Sequence, residues 1–153
     1  MINLNVFSEE KAWSKKLNRK EFFFKNICNA FPKKYKFLNK NISLSLLLSN
    51  NKKIKILNKK FRNKNKNTDI LSFPFGERLR NSNQIYLGDI IISFNYIDKS
   101  RNLTSKEFRE KTAKIFIHGF LHLLGYDHIK YYDYKKMIRE EEKIFKSIKK
   151  ILN

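Results

Sequence analysis

All three histidines of this 153-residue chain lie within eleven residues, at positions 118, 122 and 128. His118 and His122 are four residues apart, so on a helix they project from the same face, one turn from each other. Gly125 can adopt the left-handed conformation that ends a helix, and the chain can then turn back and bring His128 beside the first two. Three imidazoles that converge and leave a fourth position open are typical of a catalytic zinc site. The spacing predicts one bound metal ion, with Zn²⁺ as the default because neutral imidazoles suit it and it is redox-inert.

The remaining pattern of apolar residues predicts an α+β fold in one domain, residues 1–153, with a mixed sheet of about four strands packed with helices. A chain of this length buries enough surface to fold without a disulfide or a structural metal. The predicted strands are residues 2–6, residues 41–48, residues 70–75, where Pro74 marks an edge or terminating strand, and residues 85–93. A charged loop, Gly76–Asn83, is predicted to separate the last two.

Two helical regions are expected before residue 65. Ser8 is predicted to cap the first, with Glu9 and Glu10 in its positive first turn, and this region runs toward Phe31 with a break near Arg19. Asn50 or Asn51 is predicted to cap the second. The stripe of apolar residues at helical spacing in this second helix is Ile54, Leu57 and Phe61.

Two further helices are predicted in the last third of the chain. Thr104 and Glu107 form a capping box that opens a helix running to Leu124. The final helix is predicted over about Asp133 to Lys150. Its inward residues are expected to be Met137, Ile144 and Ile148.

The net charge of the chain is +20, because 34 lysines and arginines outnumber 14 aspartates and glutamates. Such a charge predicts attraction to polyanions, of which nucleic acid is the usual one. An A+T-rich coding sequence would give the same excess of lysine, asparagine, isoleucine and phenylalanine without selection for binding. The charge alone leaves both interpretations open.

The chain has no apolar run of about 18 residues, and its N-terminal segment lacks the basic head and apolar stretch of a signal peptide. The single cysteine, Cys28, cannot form an intramolecular disulfide and is expected to be a small buried hydrophobic residue. We therefore expect a cytoplasmic protein without membrane association. We also expect no organic cofactor and a monomeric state.

Three segments resemble the signatures of one known protein family. Residues 118–128, HGFLHLLGYDH, resemble the family pattern H-G-x-L-H-L-x-G-Y-D-H. Residues 68–74, TDILSFP, resemble T-D-V-L-S-F-P, and residues 87–93, LGDIIIS, resemble L-G-D-I-x-I-S. The order and spacing of the segments agree with that family, and the histidine segment is the most specific of the three. The chain thus resembles the YbeY family of bacterial rRNA-maturation endoribonucleases.

The resemblance implies a single-strand-specific, zinc-dependent endoribonuclease that acts in 16S rRNA 3′-end maturation, ribosome biogenesis and quality control. It implies that His118, His122 and His128 hold the catalytic Zn²⁺, and that the substrate is RNA of the small ribosomal subunit or its precursors. It also implies a functional arginine a few residues before the TDILSFP segment, which here is Arg62. The chain departs from the family pattern between Arg62 and the TDILSFP segment. Residues 63–67 are NKNKN here, whereas the family usually has a segment like G-K-D-K-P.

The role expected of Arg62 is to bind phosphate, because a guanidinium offers paired donors to two anionic oxygens. The alternative is a surface arginine that only interacts favourably with a helix end. Metal chemistry at the site leaves two routes open: a metal-bound hydroxide attacks phosphorus, or the metal polarises a phosphoryl oxygen while the ribose 2′-OH attacks.

Several other residues have two interpretations. Asp127 either orients a histidine or caps the turn after Gly125, and Asp89 is either close to the metal ligands or part of a β-bulge. The aromatic residues expected either to stack on bases or to lie in the core are Phe73, Phe75 and Tyr86.

Two other classes of function are considered for the same residues. A zincin-type metalloprotease shares the H-x-x-x-H-x-x-G-x-x-H spacing and thus a zincin-like metal-binding helix, but it needs a glutamate directly after the first histidine as general base. Here that residue is Gly119, which has no side chain. The other class is a non-catalytic, metal-stabilised RNA-binding or ribosome-assembly module, whose structural zinc would usually take four protein ligands.

Overall fold

The computed structural model describes residues 1–76 and 83–153, so most of the predicted loop Gly76–Asn83 lies outside the described residues. The described residues form an α+β fold with four strands and six helices. The strands are β1 (Ile2–Ser8), β2 (Asn41–Ser49), β3 (Ile70–Pro74) and β4 (Gln84–Ser93). The helices are α1 (Ala12–Lys16), α2 (Lys20–Asn29), α3 (Asn51–Arg62), α4 (Phe94–Ile97), α5 (Ser105–Leu123) and α6 (Tyr131–Ile148), with short 3₁₀ turns at Lys33–Tyr35 and Lys149–Ile151.

The four strands form one mixed sheet in the order β1-β2-β4-β3. β1, β2 and β4 run parallel, and β3 pairs antiparallel with β4 at the edge. The prediction from Pro74 is confirmed, because this proline ends an edge strand, where a missing N–H costs no ladder hydrogen bond. The α+β prediction with a four-stranded mixed sheet is confirmed as well.

The sheet has a different layer on each of its two faces. On one face, every second residue of β2 is buried against the main core, which includes residues of α2, α5 and α6. On the other face, α3 covers a smaller core formed by Ile54, Leu71 and Ile91. Asn50 caps α3 as predicted, and its side chain accepts a hydrogen bond from the Lys53 amide. Phe61, the last residue of the predicted apolar stripe, is 57% exposed and packs edge-on against Phe73 of the edge strand.

The helix start predicted at Ser8 is wrong. Ser8 belongs to β1, and the amide of Glu9 donates to the carbonyl of Leu48 in the neighbouring strand, which extends the sheet contact past Ser8. The helix begins only at Ala12, without a side-chain cap from Lys11. The predicted break near Arg19 is confirmed, because Arg19 has a left-handed backbone with φ of 55° and separates α1 from α2.

A β-bulge lies in β4 just before Asp89. Ser43 pairs with Tyr86 and Ser45 pairs with Asp89, so β4 has one residue more than β2 between these pairs. Gly88 takes a φ of 138°, and a Cβ at this position would lie 2.1 Å from the Phe73 carbonyl oxygen, so only glycine fits here. The bulge brings the Tyr86 hydroxyl to the Asp89 carboxylate on the exposed side of the strand. Of the two interpretations of Asp89, the structure supports the bulge.

Candidate metal centre

Helix α5 carries the first two histidines. A capping box sets where it begins, and a glycine turn follows its end. At its start, the Thr104 amide donates to the Glu107 carboxylate at 2.7 Å and the Glu107 amide donates to the Thr104 hydroxyl at 3.2 Å, as the capping box predicts. At its end, Gly125 has a φ of 95° and the Tyr126 amide donates back to the Leu121 carbonyl. This left-handed turn reverses the chain after the helix.

The turn brings the third histidine beside the other two. The ring centroids of His118 and His122 are 4.6 Å apart, and His128 lies 5.4 Å from the first and 5.0 Å from the second. One nitrogen of each ring lies within 4.8 Å of the others, so the three residues could hold a metal ion. His118 and His122 are partly buried and His128 is exposed, so the cluster opens toward solvent. The predicted convergence of the three rings is confirmed.

The hydrogen bonds of His118 and His122 leave nitrogen lone pairs directed at the centre of the cluster. His118 Nδ1 lies 2.6 Å from a Glu141 carboxylate oxygen, and His122 Nδ1 lies 2.8 Å from the Tyr126 carbonyl oxygen. Both oxygens can only accept, so in each neutral ring the proton is on Nδ1 and the lone pair is on Nε2.

The two Nε2 atoms face each other at 3.1 Å. Two lone pairs at this separation repel each other unless a cation lies between them. In a tetrahedral site with zinc–nitrogen distances of about 2.0–2.1 Å, two nitrogens are about 3.3 Å apart. The donor atoms therefore fit a divalent cation in both chemistry and spacing.

Burial also favours the neutral, ligating form of His122. Its partial burial, followed by the proximity of His118, lowers the pKa of His122 below its ordinary value. A neutral imidazole is the form that binds a metal, so less proton competition is expected at this ligand than at a free histidine.

Glu141 was not identified from the sequence. It lies on α6, whose buried residues include Met137 and Ile144 as predicted. Between them, on the same stripe at helical spacing, come Glu140 and Glu141, where an amphipathic helix would ordinarily carry apolar residues. That interruption of the apolar stripe is the signal that points to both residues.

Glu140 belongs to a polar network that holds the turn after α5. The Tyr35 hydroxyl donates to the Glu140 carboxylate and lies 3.2 Å from the Tyr126 hydroxyl. Lys34 donates to both Tyr126 and Glu140 at 3.2 Å, and Lys143 donates to Glu140 at 2.9 Å. The network fixes Tyr126, whose carbonyl accepts the hydrogen bond from the second histidine of the cluster.

The charge of Glu140 is stabilised by these partners. Burial alone would raise the pKa of Glu140, but the hydrogen bonds from Tyr35, Lys143 and Lys34 outweigh it and lower the pKa to about 2. Burial, together with the hydrogen bonds to Glu140 and Tyr126, raises the pKa of Tyr35 above its ordinary range. Glu140 is therefore an anion and Tyr35 a hydrogen-bond donor at neutral pH.

Asp127 acts on the turn itself. Its carboxylate accepts a hydrogen bond of 2.6 Å from the backbone amide of His128, the next residue. This contact fixes the backbone that presents the third histidine. Of the two interpretations of Asp127, the structure supports the cap of the turn.

Arg62 is the last residue of α3 and is exposed. Its Nη2 donates to the Ser72 carbonyl oxygen at 3.2 Å, and its guanidinium lies 6.0 Å from the centre of the Phe73 ring. The Ser72 hydroxyl in turn donates to the carbonyl of Gly119 at 3.2 Å. Ser72 of β3 thus links Arg62 to Gly119, the residue that directly follows His118.

Gly119 faces the sheet. A Cβ at this position would lie 2.4 Å from Ile70 Cδ1 and 3.0 Å from Ser72 Oγ. The position that holds the general-base glutamate in zincin proteases is therefore packed against β3 here, and it has no room for a longer side chain. This packing argues against the protease alternative.

The three aromatic residues considered for base stacking are only partly covered. Phe75 is 49% exposed and packs edge-on against Tyr86, with 5.5 Å between the ring centroids. Phe73 is partly buried and contributes to a groove of about 750 Å³ beside α3. Cys28 is 4% exposed in the main core, and its burial raises the pKa of the thiol to about 12, as expected of an inert cysteine.

The fold is α+β, with helices packed on a mixed sheet. Two histidines one turn apart on a helix, a glycine turn and a third converging histidine give this fold a zincin-like cluster that could hold a metal ion. The sequence model of the family Endoribonuclease YbeY matches residues 5–149. The chain therefore belongs to the YbeY family of endoribonucleases.

Individual relatives agree with this assignment. Endoribonuclease YbeY of Pelagibacter ubique (strain HTCC1062) is 58% identical over 149 residues, which cover 97% of each chain. Endoribonuclease YbeY of Sulfurihydrogenibium sp. (strain YO3AOP1) is 34% identical over 141 residues, which cover 92% of this chain and 90% of the relative. The fold is also similar to the solution structure of a Thermotoga maritima protein, which is 26% identical in sequence. The match covers 95% of this chain and 89% of that chain, with a TM-score of 0.59. In the part of the chain that the structure describes, no helix combines the length and the apolar character needed to cross a bilayer.

Proposed function

We propose that this chain is a zinc-dependent endoribonuclease that cuts single-stranded RNA in the maturation of the 16S rRNA 3′ end, and thereby serves ribosome biogenesis and quality control. The observation that carries the proposal is the pair of Nε2 atoms of His118 and His122, which lie 3.1 Å apart beside a third histidine. Residues 1–153 act as one catalytic domain in the cytoplasm, with RNA of the small ribosomal subunit or its precursors as substrate.

In this proposal His118, His122 and His128 hold one Zn²⁺. When bound, the ion supplies Lewis acidity, which activates a water molecule near neutral pH or polarises a phosphoryl oxygen. Family membership supports the reaction, and the donor set supports the metal, because neutral imidazoles are common zinc ligands. Cys28 is buried in the main core rather than placed in the histidine cluster, which supports a site with three protein ligands.

Arg62 is proposed to bind the phosphate at the scissile bond. One nitrogen of its guanidinium is held by the Ser72 carbonyl, and the group has five N–H donors in total, so further donors remain for anionic oxygens. Its exposure and its link through Ser72 to the segment that follows His118 support this role. An arginine at this place stabilises the charge that develops on the phosphate during cleavage.

A basic surface continues from Arg62 along α3. Between Ser49 and Asp69 the chain has no acidic residue. The basic residues of this segment, all of them exposed, are Lys52, Lys53, Lys55, Lys59, Lys60, Arg62, Lys64 and Lys66. Because like charges repel each other and are not neutralised within the segment, this surface is suited to the phosphates of a single RNA strand.

The test is cleavage of matched single- and double-stranded RNA by the purified protein, with elemental analysis before and after chelation. We expect zinc in the purified protein, cleavage of the single strand, loss of cleavage on chelation and recovery when zinc is restored. Cleavage that persists after complete metal removal would overturn the mechanism. Metal-dependent RNA binding without any cleavage would instead favour the non-catalytic assembly module.

A further inference from the structure

We propose that Glu141 is a positioning residue of the metal centre, which holds His118 in the one tautomer that presents a lone pair to the cation. The inference rests on the proposed function, since it concerns the same three-histidine site. It goes further by assigning a residue of α6, outside the histidine motif, to the preparation of that site.

The hydrogen bond between the two side chains is short and well defined. Glu141 Oε1 lies 2.6 Å from His118 Nδ1, and α6 packs against α5 at this point. The side chains of both residues are about 30% exposed, at 31% for His118 and 30% for Glu141. Solvent therefore screens much of the charge attraction, and the main effect of the contact is the orientation of the ring and the choice of its protonated nitrogen.

The choice of tautomer matters because of the distance between the two rings. With 3.1 Å between the Nε2 atoms, a proton on His118 Nε2 would form a hydrogen bond to the lone pair of His122 Nε2. That ring-to-ring bond would occupy both donor atoms and exclude a cation. The Glu141 carboxylate favours the proton on Nδ1 instead, and so keeps the lone pair of His118 free for the metal.

The neighbouring acidic residues of α6 do not share this role. Glu140 is engaged by Tyr35, Lys34 and Lys143. Glu142 is exposed on the same helix. Substitution of Glu142 removes the same charge from the same helix and is therefore a matched control for Glu141.

The first experiment measures the tautomer without any metal. In the apo protein at about pH 8, ¹⁵N chemical shifts of the His118 ring report which nitrogen carries the proton. We expect Nδ1–H in the unmodified chain, in Glu142→Ala and in Glu141→Gln, whose side-chain oxygen still accepts the bond. In Glu141→Ala we expect a substantial population protonated on Nε2. An unchanged tautomer in Glu141→Ala would overturn the proposal.

The second experiment measures zinc affinity by competition with a chromogenic chelator. Loss of an outer hydrogen-bond partner of a metal ligand typically weakens metal binding by about 10–100-fold, which is the change expected for Glu141→Ala. Glu141→Gln should recover most of that affinity, and Glu142→Ala should bind as the unmodified chain does. The thermal midpoint of each apo variant verifies that the fold is retained.

The outcomes separate this inference from the proposed function. Equal zinc affinity in the unmodified chain and Glu141→Ala, or equal losses in Glu141→Ala and Glu142→Ala, would refute the positioning role and leave the zinc endoribonuclease standing. An unmodified chain that binds no zinc would overturn the proposed function and this inference with it. Weaker zinc binding in Glu141→Ala that Glu141→Gln restores supports the positioning role and the metal site of the proposed function, while cleavage is tested separately.

Discussion

The guanidinium of Arg62 donates to the carbonyl oxygen of Ser72 at 3.2 Å, so a residue at the end of α3 is anchored on the edge strand that contacts α5. The anchor restricts a long side chain that would otherwise move freely in solvent, which reduces the entropy lost when the guanidinium binds a phosphate.

For Arg62→Ala we expect RNA cleavage to fall by about 100-fold, as for other residues that stabilise charge in a transition state. Zinc content should not change, because Arg62 does not contact the three histidines. Arg62→Lys should recover only part of the activity, since lysine lacks the paired donors. The matched control is Arg139→Ala, an exposed arginine of α6. Loss of zinc together with activity in Arg62→Ala would contradict the phosphate role.

For His122→Ala we expect both zinc content and cleavage to fall to background. The ring supplies one of the facing lone pairs, and two remaining imidazoles hold zinc much more weakly than three. Elemental analysis after dialysis gives the zinc content, and cleavage of single-stranded RNA gives the activity. A variant that retains zinc and full cleavage would exclude His122 as a ligand.

For Gly119→Ala we expect the free energy of unfolding to fall by about 1–3 kcal/mol, the usual cost of forcing a methyl group into a packed core. The added Cβ would lie 2.4 Å from Ile70 Cδ1. Urea denaturation measures the loss. Gly76→Ala is the control, because its Cβ would have no atom within 4 Å, and its stability should change by less than about 0.5 kcal/mol. Equal stabilities for the two variants would show that α5 and β3 are not in close contact.

The pKa of Glu140 predicts acid sensitivity. Because the pKa is lowered from 4.5 to about 2, the folded state binds this proton less readily than the unfolded state. The stabilisation is therefore complete above pH 4.5 and is lost as the pH falls toward about 2. We expect Glu140→Gln to be less stable than the unmodified chain at neutral pH, by on the order of 2 kcal/mol.

That difference should shrink as the pH falls below 4.5, the ordinary pKa of the glutamate. Urea denaturation at a series of pH values measures it. Glu142→Gln, which changes an exposed glutamate of the same helix, should show no such convergence. A stability difference between Glu140→Gln and the unmodified chain that does not depend on pH would mean that the network does not hold the charged form.

The basic surface of α3 predicts a salt dependence of RNA binding. The logarithm of the RNA-binding constant falls linearly with the logarithm of the salt concentration. Replacement of Lys52, Lys55 and Lys59 by glutamine should make this negative slope shallower by about 0.7 for each lost single-strand contact, or about 2 in total. Replacement of three exposed lysines of the C-terminal region, Lys135, Lys146 and Lys149, gives the control. Equal slopes for the two triple variants would favour coding bias as the origin of the charge.

Features that depend on neighbouring residues in the chain were predictable from the sequence. The strand β2, the capping box of Thr104 and Glu107, and the turn at Gly125 each follow from a local pattern, and the structure confirms them. The convergence of the histidines was predictable for the same reason, because a helical spacing and one glycine turn bring all three together.

Features that depend on tertiary contacts were not predictable. Ser8 has the chemistry of a helix cap, but pairing with β2 keeps it in a strand. The bulge before Asp89 requires knowledge of the pairing between β2 and β4. Glu141 lies 23 residues from His118, and only the packing of α6 on α5 brings its carboxylate to the ring.

The left-handed turn at Gly125 has a consequence for how easily the histidine cluster opens. Two donor rings belong to the last turns of one helix, and the third, exposed donor belongs to the segment that follows the turn. The end of α5 that carries the first two rings is held in the main core by Phe120, Leu121 and Leu123. The segment after Gly125 can therefore move His128 away while the helix stays packed, and such local opening requires far less free energy than global unfolding. An ion held by the three histidines would therefore lose and regain its third ligand on the timescale of a loop motion, in a chain that stays folded throughout.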